Sequence, residues 1–304
     1  MRISDLGMQQ LLLQGFQNAQ AAAQTRQVQL ASGDRFQTFG EYGADALRLV
    51  SADGVIARAG AFENAASIAL ARLETQGSSL EIISDAVEQS RAGFVRSLAV
   101  GNAEQLLPDL EIAAQRIITA LNVDLGGVYV FGGSDGARPP VNASTLNDLA
   151  AAGSIDALFN EGERTRLAVE EGVFIDGGAR ASDIARELFA ELQELGNAEA
   201  TFGPFQGELT AAQRDFLLEK SDRFAALADA LYQEQGLSAV AQGQASDAAT
   251  RNARARSQAE IVAAEIEDVD IAAALSGLNQ DQLAIQASAR ALADATQLSL
   301  LNFI

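Results

Sequence analysis

The residue types that carry most proton and nucleophile chemistry in enzymes are missing from this chain. Among its 304 residues there is no Cys and no His, which removes thiol nucleophiles, Cys/His zinc centres and any triad with imidazole as its base. A serine–lysine dyad is left as a formal option, and it would have to use Lys220, the only lysine. The run Glu265-Ile266-Glu267-Asp268-Val269-Asp270 offers oxygen ligands to a cation but lacks the glycine turn and closing glutamate of a calcium loop. A solvated face or a helix start is the expectation there. Arg251, Arg254 and Arg256 form a small basic cluster with no interleaved aromatics, suited to ion pairing with a neighbouring helix rather than to nucleic acid. Gly132-Gly133-Ser134-Asp135-Gly136 is followed by Ala137, Arg138 and two prolines. A phosphate loop would need Gly-Lys-Ser/Thr and a helix start, so a tight turn is expected instead. Carboxylates abound, but nothing singles out a glycosidase-like pair, and sugar-stacking tryptophan is absent. The residues thus predict no catalytic group, no metal and no cofactor.

Composition narrows the class further. The net charge is −20 and the isoelectric point is near 4.3, a surface that repels phosphate backbones and anionic lipid heads. Neither nucleic acid nor a membrane is an expected partner. Almost every cation is Arg, the better residue for pairing with carboxylates at an interface. With 48% hydrophobic residues and a mean hydropathy of +0.05, wholesale disorder is not expected. Leu6 to Thr25 is uncharged and long enough to cross a bilayer, but Gln9, Gln10, Gln14, Gln17, Asn18, Gln20 and Gln24 would each bury an amide at about 1–3 kcal/mol. A cleaved secretory signal fits poorly, since only Arg2 is basic, Asp5 follows, and Leu11-Leu12-Leu13 is too short an apolar core. If the protein leaves the cell, a route without a cleaved signal is expected.

The elements that must position all this are mostly helices, as Ala-, Leu- and Gln-rich sequence favours. Helix is expected from Met1 to about Leu30, with break risks at Gly7 and Gly15 and Gly33 as its C-cap. Phe36 to Gly43 reads as an irregular connector, and Ala44 to about Leu98 as a very long helix. There Leu73, Leu80, Val87 and Phe94 step by seven, with Ala66, Leu70 and Ile83 on the alternate positions. Gly54, Gly60 and Gly77 either weaken that helix or admit a close neighbour. Pro108 opens a further helix to about Val123. Gly127 to Gly133 reads as a short strand followed by turns, Thr165 to Ile175 as two short strands around Glu171-Gly172, and Ser182 to Leu195 as an amphipathic helix. Thr210-Ala211-Ala212-Gln213 is a capping box. Helix follows it, with soft spots at Gly236 and Gly243, and resumes over Arg251 to Glu265. A mixed insert therefore interrupts a helical chain.

The most informative pattern lies in the first and last stretches. Leu6 and Leu13, then Phe16, Ala23 and Leu30, advance by seven, as do Ile271, Leu278, Ile285 and Leu292. Seven-residue apolar steps mark a helix that packs along another helix. These residues, with Leu298, Leu301 and Phe303, are the candidate assembly seam. The chain is expected to fold back on itself and to leave some apolar surface over for neighbours.

Four places resemble the flagellin superfamily, on the side of its hook–filament junction members, the third hook-associated proteins. They are Met1-Arg2-Ile3-Ser4; Gln29-Leu30-Ala31-Ser32-Gly33-Asp34-Arg35, similar to a Leu-Ser-Ser-Gly-Lys-Arg motif with departures at Ala31 and Asp34; Gly127 to Gly133; and Asp268 to Ile304 with its closing Leu298-Ser299-Leu300-Leu301-Asn302-Phe303-Ile304. The resemblance implies a mainly α, flagellin-like fold: a long coiled-coil rod of paired N- and C-terminal helices with a small α+β outer insert. It implies an inner domain of residues 1–43 with 261–304, a helical middle domain of 44–125 with 210–260, and an outer insert of 126–209. It also implies a non-enzymatic subunit of the extracellular flagellum, exported by a type III route and forming the junction ring. The implied partners are copies of itself, the first hook-associated protein, flagellin and an export chaperone. A filament-forming flagellin is the alternative, and a carbohydrate- or ligand-binding module in the insert a more remote one.

Overall fold

In the computed structural model the backbone is described for residues 2–301 and the side chains for residues 7, 8 and 10–294. Eight α-helices carry the described chain: α1 Arg2–Ser32, α2 Ala46–Val100, α3 Leu106–Leu121, α4 Leu146–Ala151, α5 Ala181–Gly196, α6 Ala198–Phe202, α7 Ala211–Glu267 and α8 Ile271–Leu301. Two small antiparallel hairpins, β1 Asp124–Leu125 with β2 Val128–Tyr129 and β3 Arg166–Glu170 with β4 Val173–Asp176, are the sheet structure among the described residues. The chain divides into two compact units, residues 1–58 with 255–304 and residues 59–254.

In the second unit, α2 and α7 run antiparallel. The Gln242 amide donates to the Leu73 carbonyl at 2.9 Å and the Gln235 amide to the Leu80 carbonyl at 3.2 Å, seven residues further along each helix in opposite directions. Leu73, Leu80, Val87 and Phe94, the stripe expected from sequence, are all fully buried. Phe94 meets Phe224 edge-to-face at 5.0 Å, the arrangement ring quadrupoles favour. Gly77 is explained by this pairing: a Cβ there would stand 2.7 Å from the Gln242 amide. Elsewhere the sequence expectation is corrected. α7 runs unbroken through Gly236 and Gly243, and α1 through Gly7 and Gly15, because about 1 kcal/mol per glycine is small beside the packing of a long amphipathic face.

The insert has no core of its own. Phe131, Leu149, Leu188, Phe189 and Leu192 join Phe94, Leu110, Ile117 and Phe224 in one buried cluster. The β3–β4 hairpin turns at Gly172 with φ +74° and lays Val169 and Ile175 on the alanine stripe of Ala66, Ala69, Ala241, Ala245 and Ala248. Asn252 secures it by donating to the Val169 carbonyl at 2.9 Å. The strand expected over 127–133 shrinks to Val128–Tyr129, since the chain turns at once and the Gly132 N–H bonds the Tyr129 carbonyl. Helix α4 was not anticipated. Its signal is Thr145-Leu146-Asn147-Asp148, a capping box in which Thr145 and Asp148 each cap the other's backbone N–H. The expected capping box at Thr210 and Gln213 opens α7.

In the first unit, Gly33 closes α1 in the left-handed conformation, φ +85°, with its N–H on the Gln29 carbonyl at 2.8 Å. The connector beyond it holds a 3₁₀ turn, Phe39–Asp45, and its Tyr42 ring meets Phe36 edge-on at 5.1 Å. Leu49, Ala52, Ala263 and Ile266 make a small core beneath Tyr42 and Ile56.

Candidate assembly surface

Helices α1 and α8 pack along each other. They are antiparallel, because the Val269 N–H bonds the Gly33 carbonyl at 2.9 Å while Arg26, about two turns back along α1, reaches forward to Asp281. A stripe of covered positions runs through Leu12, Phe16, Ala19, Ala23, Arg26 and Leu30 on α1 and through Ala274, Leu278, Asp281, Ile285, Ser288 and Leu292 on α8, flanked by Ala22, Gln29, Gly277 and Ala291, which are also withdrawn from water. Both series alternate steps of four and three, the spacing of a coiled-coil seam.

Six of the sequence-derived seam residues therefore lie on this stripe: Phe16, Ala23 and Leu30 on α1, and Leu278, Ile285 and Leu292 on α8. Leu13 does not, and is 46% exposed. It shares its helical phase with Gln20 and Gln27, so turning it inward would bury two amides, whereas the phase of Leu12 brings in Ala19 and Arg26, and Arg26 finds a carboxylate in Asp281. Ile271, at 66% exposure, sits in the first turn of α8 at the level where α1 ends. Phe303 and the side chains of Leu6, Leu298 and Leu301 lie outside the described residues. Sequence reading missed Leu12, Ala19, Arg26, Ala274, Asp281 and Ser288; the four-three alternation through Phe16, Ala23 and Leu30 was the available signal, obscured by the Leu11-Leu12-Leu13 run. Away from the seam, Met8, Leu11, Leu13 and Val28 on α1 and Ile271, Leu275 and Leu283 on α8 remain exposed.

At the root of the pair, Asp34 and Asp268 face each other across an isolated antiparallel bridge. Burial, then the charges of Asp53, Asp34 and Asp268, raise the pKa of Glu267. Asp270 caps α8, its carboxylate accepting the Ala273 N–H at 2.9 Å. The acidic run thus starts a helix. No group of three or more potential ligands able to hold a metal ion occurs among the described residues.

The other chemical candidates are structural as well. The Lys220 ammonium, 2% exposed, lies 2.5 Å from Glu191 and also contacts Glu194, with the Phe216 ring at 5.2 Å. Burial pulls its pKa down, but the bonds to Glu191 and Glu194 outweigh this and hold it above the ordinary lysine value. It stays charged at neutral pH and is no general base. Arg251 pairs with Glu170 at 2.7 Å, on a strand rather than the expected helix, and Arg256 with Glu260 within α7. Gly132 to Gly136 forms the expected turn, fastened by the Ser134 N–H to the Glu163 carbonyl at 2.9 Å and the Gly162 N–H to the Gly132 carbonyl at 2.9 Å. Among the described residues no helix is long and apolar enough to cross a membrane.

Residues 3–135 match the bacterial flagellin N-terminal helical region. The fold, mainly α with long helices and two short hairpins, is flagellin-like. Among solved structures, a Vibrio parahaemolyticus protein described as a flagellar hook-associated protein is similar over 73% of this chain and 97% of its own, with a TM-score of 0.53 and 13% identity. Bacillus cereus FlgL is similar over 65% of this chain and 98% of its own, with a TM-score of 0.49 and 10% identity. Likeness at the first level is likeness of fold. No curated protein sequence matches. In this chain the helical pair α1–α8 and the apolar residues it leaves uncovered are the features a neighbour would meet.

Proposed function

We propose that this protein is a flagellar subunit that forms the hook–filament junction ring, coupling the hook-associated layer to the flagellin filament. The observation that carries the reading is the flagellin N-terminal match at residues 3–135 joined to an α1–α8 seam that leaves Met8, Leu11, Ile271 and Leu275 exposed. The description of the Vibrio protein that shares the fold supports the hook-associated side of the family. In this reading residues 1–43 with 261–304 are the inner part, 44–125 with 210–260 the middle and 126–209 the outer part. The partners are further copies of the chain, the first hook-associated protein, flagellin and, before export, a chaperone. The work is mechanical, and burial of leftover apolar surface between subunits drives it.

Immunogold labelling of the native flagellum tests the placement. A single band of label at the hook end is expected. Label along the whole filament makes the protein a filament flagellin, and no label on the organelle overturns the reading.

A further inference from the structure

Helices α1 and α8 are poor in charge. Beyond Asp5, α1 carries only Arg26; α8 carries Asp281, Arg290 and Asp294. Yet Arg26 and Asp281 both occupy covered seam positions and pair with each other. Their side chains are 35% and 16% exposed, so the pair is largely withdrawn from water. The Arg26 guanidinium also donates to the Gly277 carbonyl at 3.4 Å. Gly277 is buried, and a Cβ there would run into the guanidinium. A glycine inside a helix is a cost; here it makes room for the arginine.

We propose that Arg26, Gly277 and Asp281 are a register lock: one charged layer in a largely apolar and small-residue seam that admits a single alignment of α1 on α8. The remaining layers are permissive. Ala19, Ala23, Ala274 and Ser288 are small, and Leu and Ile seams tolerate a slide of one heptad because each apolar knob meets another apolar hole. The polar layer does not tolerate it. A slide of seven residues that brings Ser288 to the Arg26 level in place of Asp281 withdraws a cation from water without a carboxylate, and sets the guanidinium against Ala284 where Gly277 had left space. A single polar residue at a seam position specifying register is the best-attested use of such groups. Register decides how the uncovered residues of α1 line up with those of α8 along the pair, so the lock fixes the pattern that a neighbour meets. The inference concerns the helical pair alone and holds whatever the chain's place in the flagellum.

Disulfide trapping tests it, and the cysteine-free chain makes the readout clean. The Arg26 stem lies against Gly277, next to Leu278, and only its guanidinium tip reaches Asp281; Ala19 lies seven residues before Arg26 and Ile285 seven after Leu278, so that pair reports the native register and Leu292 a slide of one heptad. In full-length protein, Ala19→Cys with Ile285→Cys crosslinks about tenfold faster than Ala19→Cys with Leu292→Cys if one register dominates. Arg26→Ala should bring the two rates within about threefold, and the swap Arg26→Asp with Asp281→Arg should restore the native preference. A native preference unchanged by Arg26→Ala overturns the lock. So does loss of both crosslinks in Arg26→Ala, which would make the pair a stabiliser of the helices without a say in alignment, and so does a swap that fails to restore the preference.

Discussion

The root of the terminal pair can be clamped covalently. Asp34 and Asp268 oppose each other between two backbone hydrogen bonds, Val269 N–H to the Gly33 carbonyl at 2.9 Å and Arg35 N–H to the Glu267 carbonyl at 2.6 Å. They are thus a non-hydrogen-bonded antiparallel pair, whose Cα atoms stand about 4.5 Å apart, inside the range a disulfide spans. The perturbation is Asp34→Cys with Asp268→Cys, and no other thiol competes. The bridge closes a loop of roughly 235 residues, for which chain entropy alone gives about 5 kcal/mol, with 2–4 kcal/mol the usual yield. At this chain length that raises the thermal midpoint by about 5 °C relative to the same variant reduced. Comparing oxidised with reduced protein cancels a second effect of the substitutions: Glu267 loses two of the three carboxylates that push its pKa up. Free-thiol titration gives the extent of bridging, and thermal denaturation followed by circular dichroism gives the midpoint. Thiols that stay free under mild oxidation in the folded protein would refute the bridge geometry. A quantitative disulfide without a rise in midpoint would refute the claim that closing this root stabilises the fold.

Two further expectations concern the charged groups of the second unit. Asp183 is held near pKa about 2; burial opposes ionisation, but hydrogen bonds from Arg180 and Arg164 prevail. A depressed carboxylate stabilises the fold above its unfolded pKa near 4 and loses that contribution as the pH falls from 4 through 2, here about 2 kcal/mol. Asp183→Asn should flatten acid-induced loss of stability in that window, measured by urea denaturation at several pH values, and a curve parallel to the parent's contradicts the assignment. Lys220 has the opposite sign. Its raised pKa makes its contribution full at neutral pH and lost only as the pH climbs past the ordinary lysine value. Lys220→Ala should cost about 3 kcal/mol, leaving Glu191 and Glu194 facing each other, and Glu191→Gln in that background should recover part of it. A Lys220→Ala protein with the parent's urea midpoint would show the ion pair to be dispensable.

The sequence by itself determined the local and periodic features. The stripe Leu73, Leu80, Val87 and Phe94, the caps at Gly33 and Thr210 and the turn at Glu171-Gly172 follow from side-chain type and spacing, because helix faces, caps and left-handed turns are set within a few residues. The absence of Cys and His excludes thiol and imidazole chemistry in the same direct way, since it concerns composition alone. What only the tertiary structure decided was phase and partnership. Leu12 and Leu13 are equally apolar, and their competition was settled by what each phase drags inward: Ala19 and an Arg26 that pairs with Asp281 in one case, two glutamines in the other. Gly236 and Gly243 look like breaks until the antiparallel neighbour that stabilises α7 is present. Arg26 and Asp281 are 255 residues apart in sequence, and neither Arg26's place in an apolar seam nor the reason for Gly277 can be read until the two helices meet. Interactions between residues that far apart depend on how the chain returns to itself, and periodicity on one strand of sequence carries no record of the partner's alignment.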